Sequence, residues 1–144
     1  FIMTLPKIQH PTFRITVPST KKQISFRPFL VKPNREELAM TVGRPLHTEQ
    51  DLVQAMSEVR ERGAEWVVVS NGPDPMLVMG PDGLVRLTPP QVKVVNPIGC
   101  GDALTAAICA KTYSGMAPLD AIQFGVEYSA RKAGCLFPVL IEST

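Results

Sequence analysis

The amino-acid sequence predicts an α/β fold in which helices cover both faces of a mostly parallel sheet. Three patterns support this prediction. Residues 66–70 form a continuous, mainly β-branched run, which is typical of an interior strand covered on both faces. Residues 49–62 have the periodicity of an amphipathic helix. Residues 92–113 indicate a strand, a glycine-rich turn and a further helix in succession.

The helix predicted at residues 49–62 is marked at both ends. Thr48 is expected to cap its start, and Gly63 is expected to end it. Its apolar residues recur at the spacing of one helix face, which indicates a surface packed against the core. They are Leu52, Ala55, Met56 and Val59.

Shorter patterns complete the predicted secondary structure. Asn34 suits the N-cap of a helix at residues 35–40, with Glu37 in the reciprocal position of a capping box. The turn Pro81-Asp82-Gly83 predicts a hairpin. The remaining strands are expected at residues 29–31, 76–80, 84–88 and 92–95, with a last strand or tail at residues 135–141.

Two final helices are expected at residues 101–113 and 119–133. The first has a face of small residues that would allow close packing: Ala103, Ala106, Ala107 and Ala110. The second has an apolar stripe made of Leu119, Ile122, Val126, Ala130 and Ala133.

The length of 144 residues suits one domain, and 44% apolar residues are enough to bury a core. Residues 1–28 contain four prolines, which divide them into pieces too short for helices. We predict an irregular lead-in at residues 1–28, within which residues 13–17 could instead form a strand. The domain itself is predicted at residues 29–144.

Charge and cysteine content exclude several classes of protein. The net charge of +2 and the scattered basic residues argue against nucleic-acid binding. The three cysteines lack CxxC spacing, which favours free thiols in a reducing compartment and predicts a cytoplasmic protein. No apolar run approaches the roughly 20 residues that a membrane-spanning helix needs.

Three loops are expected to converge, because ligands of α/β sheets bind beyond the carboxyl ends of the strands. They are residues 32–34, 70–75 and 96–102. The last of these loops contains the pattern that most strongly indicates chemistry.

The turn at residues 99–102 reads Gly-Cys-Gly-Asp and precedes a helix. Its glycines allow backbone N–H groups to form an anion nest, and the helix start adds positive potential. The spacing is neither GxGxxG nor a Walker A loop. Asp102 would repel a bound anion, so we interpret it as a base that takes a hydroxyl proton during phosphoryl transfer. The alternative is an ordinary strand–turn–helix corner.

Phosphoryl transfer also predicts a magnesium ion. Mg²⁺ keeps several waters and takes few direct protein ligands, so Glu37 could hold it through water, together with Asn34. Ser70 and Gly72 could offer a hydroxyl and an N–H group to nucleotide phosphates. The alternatives are helix capping for Asn34 and Glu37 and a plain turn at residues 70–72.

The other polar candidates have no partners in the sequence. His10 and His47 lack metal-ligand spacing and are expected at the surface. Cys100 is expected between the glycines because it is small, since a nucleophile would require a paired base.

Three segments, in this order, resemble motifs of the ribokinase-like (PfkB) carbohydrate kinases. Residues 31–38 resemble the segment that carries the family's Asn-x-x-Glu, and residues 68–72 resemble its Ser/Thr-x-Gly nucleotide loop. Residues 96–102 resemble its second signature, usually Asp-Thr-x-Gly-Ala-Gly-Asp. The resemblance extends over residues 29–137. It implies part of a ribokinase-like three-layer sandwich and ATP-dependent phosphorylation of a sugar or sugar-phosphate hydroxyl.

The resemblance assigns roles to residues of the glycine-rich turn. Asp102 would be the catalytic base, and Gly99, Cys100 and Gly101 would form the anion hole. Asn34 would organise Mg²⁺ and its waters together with Glu37. The cofactors implied are therefore ATP and Mg²⁺.

Asn96-Pro97 and Lys32-Pro33-Asn34 are most similar to the branch that phosphorylates sugar phosphates, such as tagatose-6-phosphate kinase and 1-phosphofructokinase. Two departures from the family matter. Pro75 stands where the family usually has glycine, and the family's N-terminal half, which supplies the sugar site, is not recognisable here. The chain is therefore expected to be a fragment of a kinase or a degenerate relative. The alternative function is non-catalytic nucleotide binding, and an incomplete sheet predicts self-association.

Overall fold

The computed structural model describes residues 2–4, 14–16, 28–71 and 74–134, with the backbone alone at residues 2–4 and 14–16. The chain divides into two compact units, Phe1–Leu87 and Thr88–Thr144. The sheet and two helices belong to the first unit, and two further helices belong to the second. The boundary expected after residue 28 stays a prediction.

The first unit is built on a six-stranded sheet in the order β2-β1-β3-β4-β5-β6. Two helices, α1 (Arg35–Val42) and α2 (Glu49–Glu61), lie between the third and fourth strands in sequence. The strands are β1 (Ile2–Thr4), β2 (Arg14–Thr16), β3 (Leu30–Val31), β4 (Trp66–Val69), β5 (Met76–Gly80) and β6 (Gly83–Leu87).

The α/β class is confirmed, but the expectation of a mostly parallel sheet is wrong. Among the described strands only β3 and β4 pair in parallel, with Leu30 opposite Trp66 and Val31 opposite Val67. The other pairs are antiparallel. A parallel pair needs a long crossover, and here α1 and α2 supply it. The short connections on either side of β5 allow only antiparallel neighbours, as the turn at residues 81–83 predicted for the hairpin.

The core of the first unit lies between α2 and the central strands. The stripe predicted on α2 is confirmed, since all four of its residues are buried. Val67, Val68 and Val69 of β4 are also fully buried, so this strand is covered on both faces as its sequence indicated. Apolar burial of this kind contributes about 25 cal/mol per Å² and holds α2 on the sheet.

The start of α2 is fixed by a capping box. Thr48 Oγ1 accepts a hydrogen bond from the Asp51 N–H at 3.1 Å. Asp51 Oδ2 in turn accepts from the N–H groups of Thr48 and His47, both at 2.9 Å. The hydrogen bonds from Thr48 and His47 lower the pKa of the Asp51 carboxyl, because they favour its charged form. His47 is exposed, as predicted.

We expect the Asp51 carboxylate to make the first unit sensitive to acid. Because its pKa is lower in the folded chain than the ordinary 3.8, its stabilisation is present above that value and is lost as the pH falls through the folded pKa. Circular dichroism during denaturant unfolding should show stability falling as the pH is lowered below about 4, where the carboxyl of the unfolded chain takes up protons. Asp51→Asn should flatten that decline, whereas Asp82→Asn, in the exposed β5–β6 turn, should leave it as steep as before. Equal slopes for Asp51→Asn and the unmodified chain would contradict this.

The second unit contains α3 (Cys100–Tyr113) and α4 (Pro118–Ala133), which pack against each other. The stripe predicted on α4 is confirmed in part, because Ile122, Val126 and Ala130 are buried. The small-residue face predicted for α3 is wrong. Ala107 is buried beside Leu104 and Ile108, whereas Ala106 and Ala110 are exposed. The larger side chains remove more apolar surface from water and so determine which face packs.

The strand predicted at residues 92–95 is also wrong. No described residue of the second unit forms a strand, and a strand forms only beside a neighbour that accepts its hydrogen bonds. Instead, the Ala133 carbonyl at the end of α4 accepts from the N–H groups of Val95 at 2.8 Å and Asn96 at 3.0 Å. Val94 and Val95 are exposed.

The remaining expectations concern membrane-spanning helices, the C-terminal residues and His10. Within the described residues, no helix is long and apolar enough to cross a membrane. The strand or tail expected at residues 135–141 lies outside them, as does His10.

Candidate active site

Two of the loops predicted to converge meet at the carboxyl ends of β3 and β4. Asn34, just beyond β3, forms a parallel bridge with Ser70, just beyond β4. A hydrogen bond of 2.9 Å from Arg35 Nη2 to Asn71 Oδ1 ties the same two loops together. Gly72, the other nucleotide-contacting candidate of this loop, lies outside the described residues. The parallel pair β3–β4 therefore brings Asn34 and Ser70 to one edge of the sheet.

Asn34 and Glu37 form the capping box that their spacing predicted. Asn34 Oδ1 accepts from the Glu37 N–H at 2.8 Å, and Glu37 Oε2 accepts from the Asn34 N–H at 2.9 Å. Both residues are exposed. Glu37 Oε1 makes no hydrogen bond within the described part of the chain, so one carboxylate oxygen is available to a water-bound cation. The two residues therefore cap α1, and the capping box does not prevent Glu37 from also holding a water-bound cation.

The residues around Glu37 fit a magnesium ion held through water rather than a fully protein-ligated metal. No cluster of three or more His, Cys, Asp or Glu side chains exists among the described residues. Mg²⁺ commonly keeps several waters and uses one or two carboxylates together with substrate phosphates. A single exposed carboxylate is compatible with that arrangement.

The glycine-rich turn of the second unit has the backbone geometry expected of an anion nest. Gly99 is the N-cap of α3 and has φ 75° and ψ 11°, in the left-handed region that favours glycine. The Asn96 side chain steadies the turn by accepting from the Ile98 N–H at 3.1 Å. The first helical hydrogen bond runs from the Ala103 N–H to the Gly99 carbonyl at 2.9 Å.

Several N–H groups of this turn have no acceptor among the described residues. They belong to Gly99, Gly101 and Asp102, and a helix start leaves such groups unpaired by its geometry. The Cys100 N–H donates to the Pro97 carbonyl at 3.3 Å, so it would have to exchange partners to bind an anion. The Asp102 carboxylate is exposed at the same helix end.

The cysteines behave as the sequence indicated where they are described. Cys100 and Cys109 form no disulfide within the described part of the chain. Cys100 Sγ lies 3.8 Å from the Asn96 carbonyl oxygen. Burial raises the pKa of the Cys109 thiol, which makes it less reactive. Cys135 lies outside the described residues.

Sequence reasoning missed one residue beside the glycine-rich turn, Lys132 of α4. Its Nζ donates a hydrogen bond to the Ile98 carbonyl. The same Nζ lies 3.4 Å from the position that a Cβ on Gly99 would occupy. The only sequence signal was the basic pair formed with Arg131, which also suits the last turn of any helix.

The predicted site residues are thus distributed over both units. Asn34, Glu37 and Ser70 belong to the first unit, and residues 99–102 belong to the second. Within each unit the expected residues are neighbours, and the convergence of all three loops stays a prediction.

The chain belongs to the pfkB family of carbohydrate kinases, whose family description matches residues 7–136. The match begins earlier than the residue 29 at which the motifs placed the resemblance, so it includes most of the segment expected to be a lead-in.

Individual relatives agree with this family. The chain is 37% identical over 106 residues to a 1-phosphofructokinase of Haloferax volcanii, covering 74% of this chain and 35% of that protein. It is 33% identical over 104 residues to a 1-phosphofructokinase of Vibrio cholerae, covering 72% and 33% respectively. The structure of Escherichia coli phosphofructokinase-2 in complex with fructose-6-phosphate is 32% identical, with a TM-score of 0.66, and covers 73% of this chain and 34% of that one. The chain therefore spans about a third of the length of these relatives.

Proposed function

We propose that this chain is the ATP-binding and phosphate-transfer part of a sugar-phosphate kinase. The acceptor would be a hydroxyl of a sugar phosphate of the tagatose-6-phosphate or fructose-1-phosphate type. The observation that carries the proposal is the turn at residues 96–102. There, N–H groups without an acceptor in the described part of the chain share the start of α3 with an exposed carboxylate. Similarity to two 1-phosphofructokinases supports the choice of acceptor.

The chemistry proposed for this turn is an in-line displacement at the terminal phosphoryl group of ATP. The Asp102 carboxylate takes the proton of the acceptor hydroxyl, and the acceptor oxygen forms a bond to the phosphorus as the bond to ADP breaks. N–H groups of the anion hole formed by Gly99, Cys100 and Gly101 stabilise the negative charge on the phosphoryl oxygens. The products are the phosphorylated sugar phosphate and ADP.

The first unit is proposed to hold the nucleotide. Ser70 would donate its hydroxyl, and Gly72 its N–H group, to nucleotide phosphates. Glu37 would hold Mg²⁺ through water, with Asn34 orienting the carboxylate as it does in the capping box. When bound, the ion neutralises charge on the phosphates.

Two measurements test the proposal, namely ATP binding and phosphoryl transfer to a sugar phosphate. Calorimetry should show saturable binding of ATP to the chain that weakens when Mg²⁺ is chelated. Transfer should be assayed after the chain is joined to the part of the Haloferax 1-phosphofructokinase that lies outside the matched region, since the match covers 35% of that enzyme. We expect ADP formation that depends on fructose 1-phosphate or tagatose 6-phosphate. Absence of both ATP binding and transfer would contradict the proposal.

The second candidate function is non-catalytic nucleotide binding. The observation that favours it is the coverage of the relatives, since the chain spans 35% of the Haloferax enzyme. Magnesium-dependent ATP binding without transfer in the joined protein would select this function. A cytoplasmic location, self-association and a domain at residues 29–144 are proposed with either function, with neither nucleic acid nor membrane as partner. A sugar phosphate is proposed as the partner only with the kinase function, as the substrate of the full-length parent protein.

A further inference from the structure

The last turn of α4 makes three hydrogen bonds to residues 95–98, the segment that leads into the glycine-rich turn. The Ala133 carbonyl accepts from the N–H groups of Val95 and Asn96, and Lys132 Nζ donates to the Ile98 carbonyl. An ammonium group has three protons, and only one of them is used at Ile98. The Nζ atom lies beside Gly99, at the start of α3, 3.4 Å from the position that a Cβ on that residue would occupy.

Without Lys132, the charges at the start of α3 do not favour the binding of an anion. The helix end contributes roughly half a positive charge, whereas the Asp102 carboxylate contributes a full negative charge. A phosphate group that carries no metal ion would therefore meet net repulsion from these two charges. Lys132 is the basic side chain that the described contacts place on this turn, and its charge reverses the balance.

We propose that Lys132 is an anion-binding residue of the glycine-rich turn, which supplies the positive charge that lets a phosphate group bind beside Asp102. This inference rests on the proposed function, because it concerns the same turn. The Ile98 carbonyl holds the ammonium at the turn before the anion arrives. The remaining ammonium protons then donate to oxygens of the phosphate that the N–H groups of Gly99 and Gly101 in the anion hole also bind.

A purely structural role for Lys132 makes a different prediction. A cation in the last turn of a helix interacts favourably with the helix dipole, and the Lys132–Ile98 hydrogen bond also fastens α4 to the turn. Loss of that role would lower stability and leave the salt dependence of anion binding unchanged. Arg131 is exposed in the same turn of α4 and is a matched control. Its removal lowers the net charge by the same amount as removal of Lys132 and removes a similar interaction with the helix dipole.

The test measures binding of Mg²⁺–ATP and of pyrophosphate to the full chain by calorimetry at low and high potassium chloride. Lys132→Met keeps the aliphatic stem and should weaken binding of both anions by about 10-fold to 100-fold, as expected for a hydrogen bond between charged groups. It should also reduce the loss of affinity with salt, since one charge no longer contributes. Arg131→Met should change affinity less than about twofold, as an exposed charge does. Lys132→Arg should restore most of the binding.

The outcomes separate this inference from the proposed function. Equal affinity of Lys132→Met and the unmodified chain for Mg²⁺–ATP would overturn the role of Lys132 and leave the proposed function standing. Lysine-dependent binding of pyrophosphate without binding of ATP would support the role of Lys132 and contradict the nucleotide-binding function. Equal losses in the Lys132 and Arg131 variants, or no binding of either anion by the unmodified chain, would overturn the inference.

Discussion

Asp102→Asn is expected to lower the rate of phosphoryl transfer by about 10²-fold to 10⁴-fold, the usual contribution of a positioned general base. ATP binding should be retained or strengthened, because the substitution removes a negative charge from the start of α3. The measurement compares kcat of the joined protein with the ATP affinity of the chain alone. A base acts on the reacting hydroxyl, so its loss should appear in kcat.

The matched control for this substitution is Asp120→Asn. Asp120 is an exposed acid in the first turn of α4, so it has the same relation to a helix dipole as Asp102 but lies outside the glycine-rich turn. Its removal should leave kcat unchanged within about twofold, as surface substitutions usually do. If Asp102→Asn also left kcat unchanged, Asp102 could not be the base.

Gly125→Ala is expected to destabilise the second unit by about 1–3 kcal/mol, the usual cost of overpacking a well-packed core. A Cβ at Gly125 would lie 2.8 Å from Ile108 Cγ1 and 3.0 Å from both Leu104 Cδ1 and the Leu104 carbonyl oxygen. The side chains could shift only into an already packed interface, and the carbonyl is part of α3. Denaturant unfolding followed by circular dichroism measures the effect.

Gly101→Ala is the control for that experiment. Gly101 is also helical, but among the described residues no atom outside its own chain neighbours and the adjacent helix backbone lies within 4 Å of the position of its Cβ. Alanine is favoured over glycine in helices, so this substitution should not lower stability and could raise it by up to about 1 kcal/mol. A Gly125→Ala chain as stable as the Gly101→Ala chain would contradict close packing of α3 on α4 through Gly125.

Local signals made α1 and α2 predictable from sequence. Thr48 and Asn34 cap helices through residues three positions away, so the determining contacts lie within one turn. The segment at residues 92–95 has the composition of a strand, yet strand formation depends on a neighbour distant in sequence. The direction of the sheet was mispredicted in part for a related reason, because the short strand β1 pairs with β3 in the antiparallel sense across a long stretch of chain.

The candidate site shows the same division between local and distant determinants. The nest at residues 99–102 depends on glycine and a helix start, which adjacent residues specify. Lys132 lies 34 residues from Ile98 in the sequence, and only the packing of α4 brings them together. The small-residue face predicted for α3 failed because the close approach depends on Gly125 of the other helix.

The most direct test of the account is a nuclear magnetic resonance titration of the chain with Mg²⁺ and a non-hydrolysable ATP analogue. Saturable shifts are expected for the amide resonances of Gly99, Gly101 and Asp102, whose N–H groups have no acceptor among the described residues. Gly43 and Gly115 also have positive φ, but they follow the C-terminal ends of α1 and α3, so their amide resonances should not shift. A saturable response confined to residues outside the 96–102 turn, or no response at all, would contradict the assignment of this turn as the phosphate site.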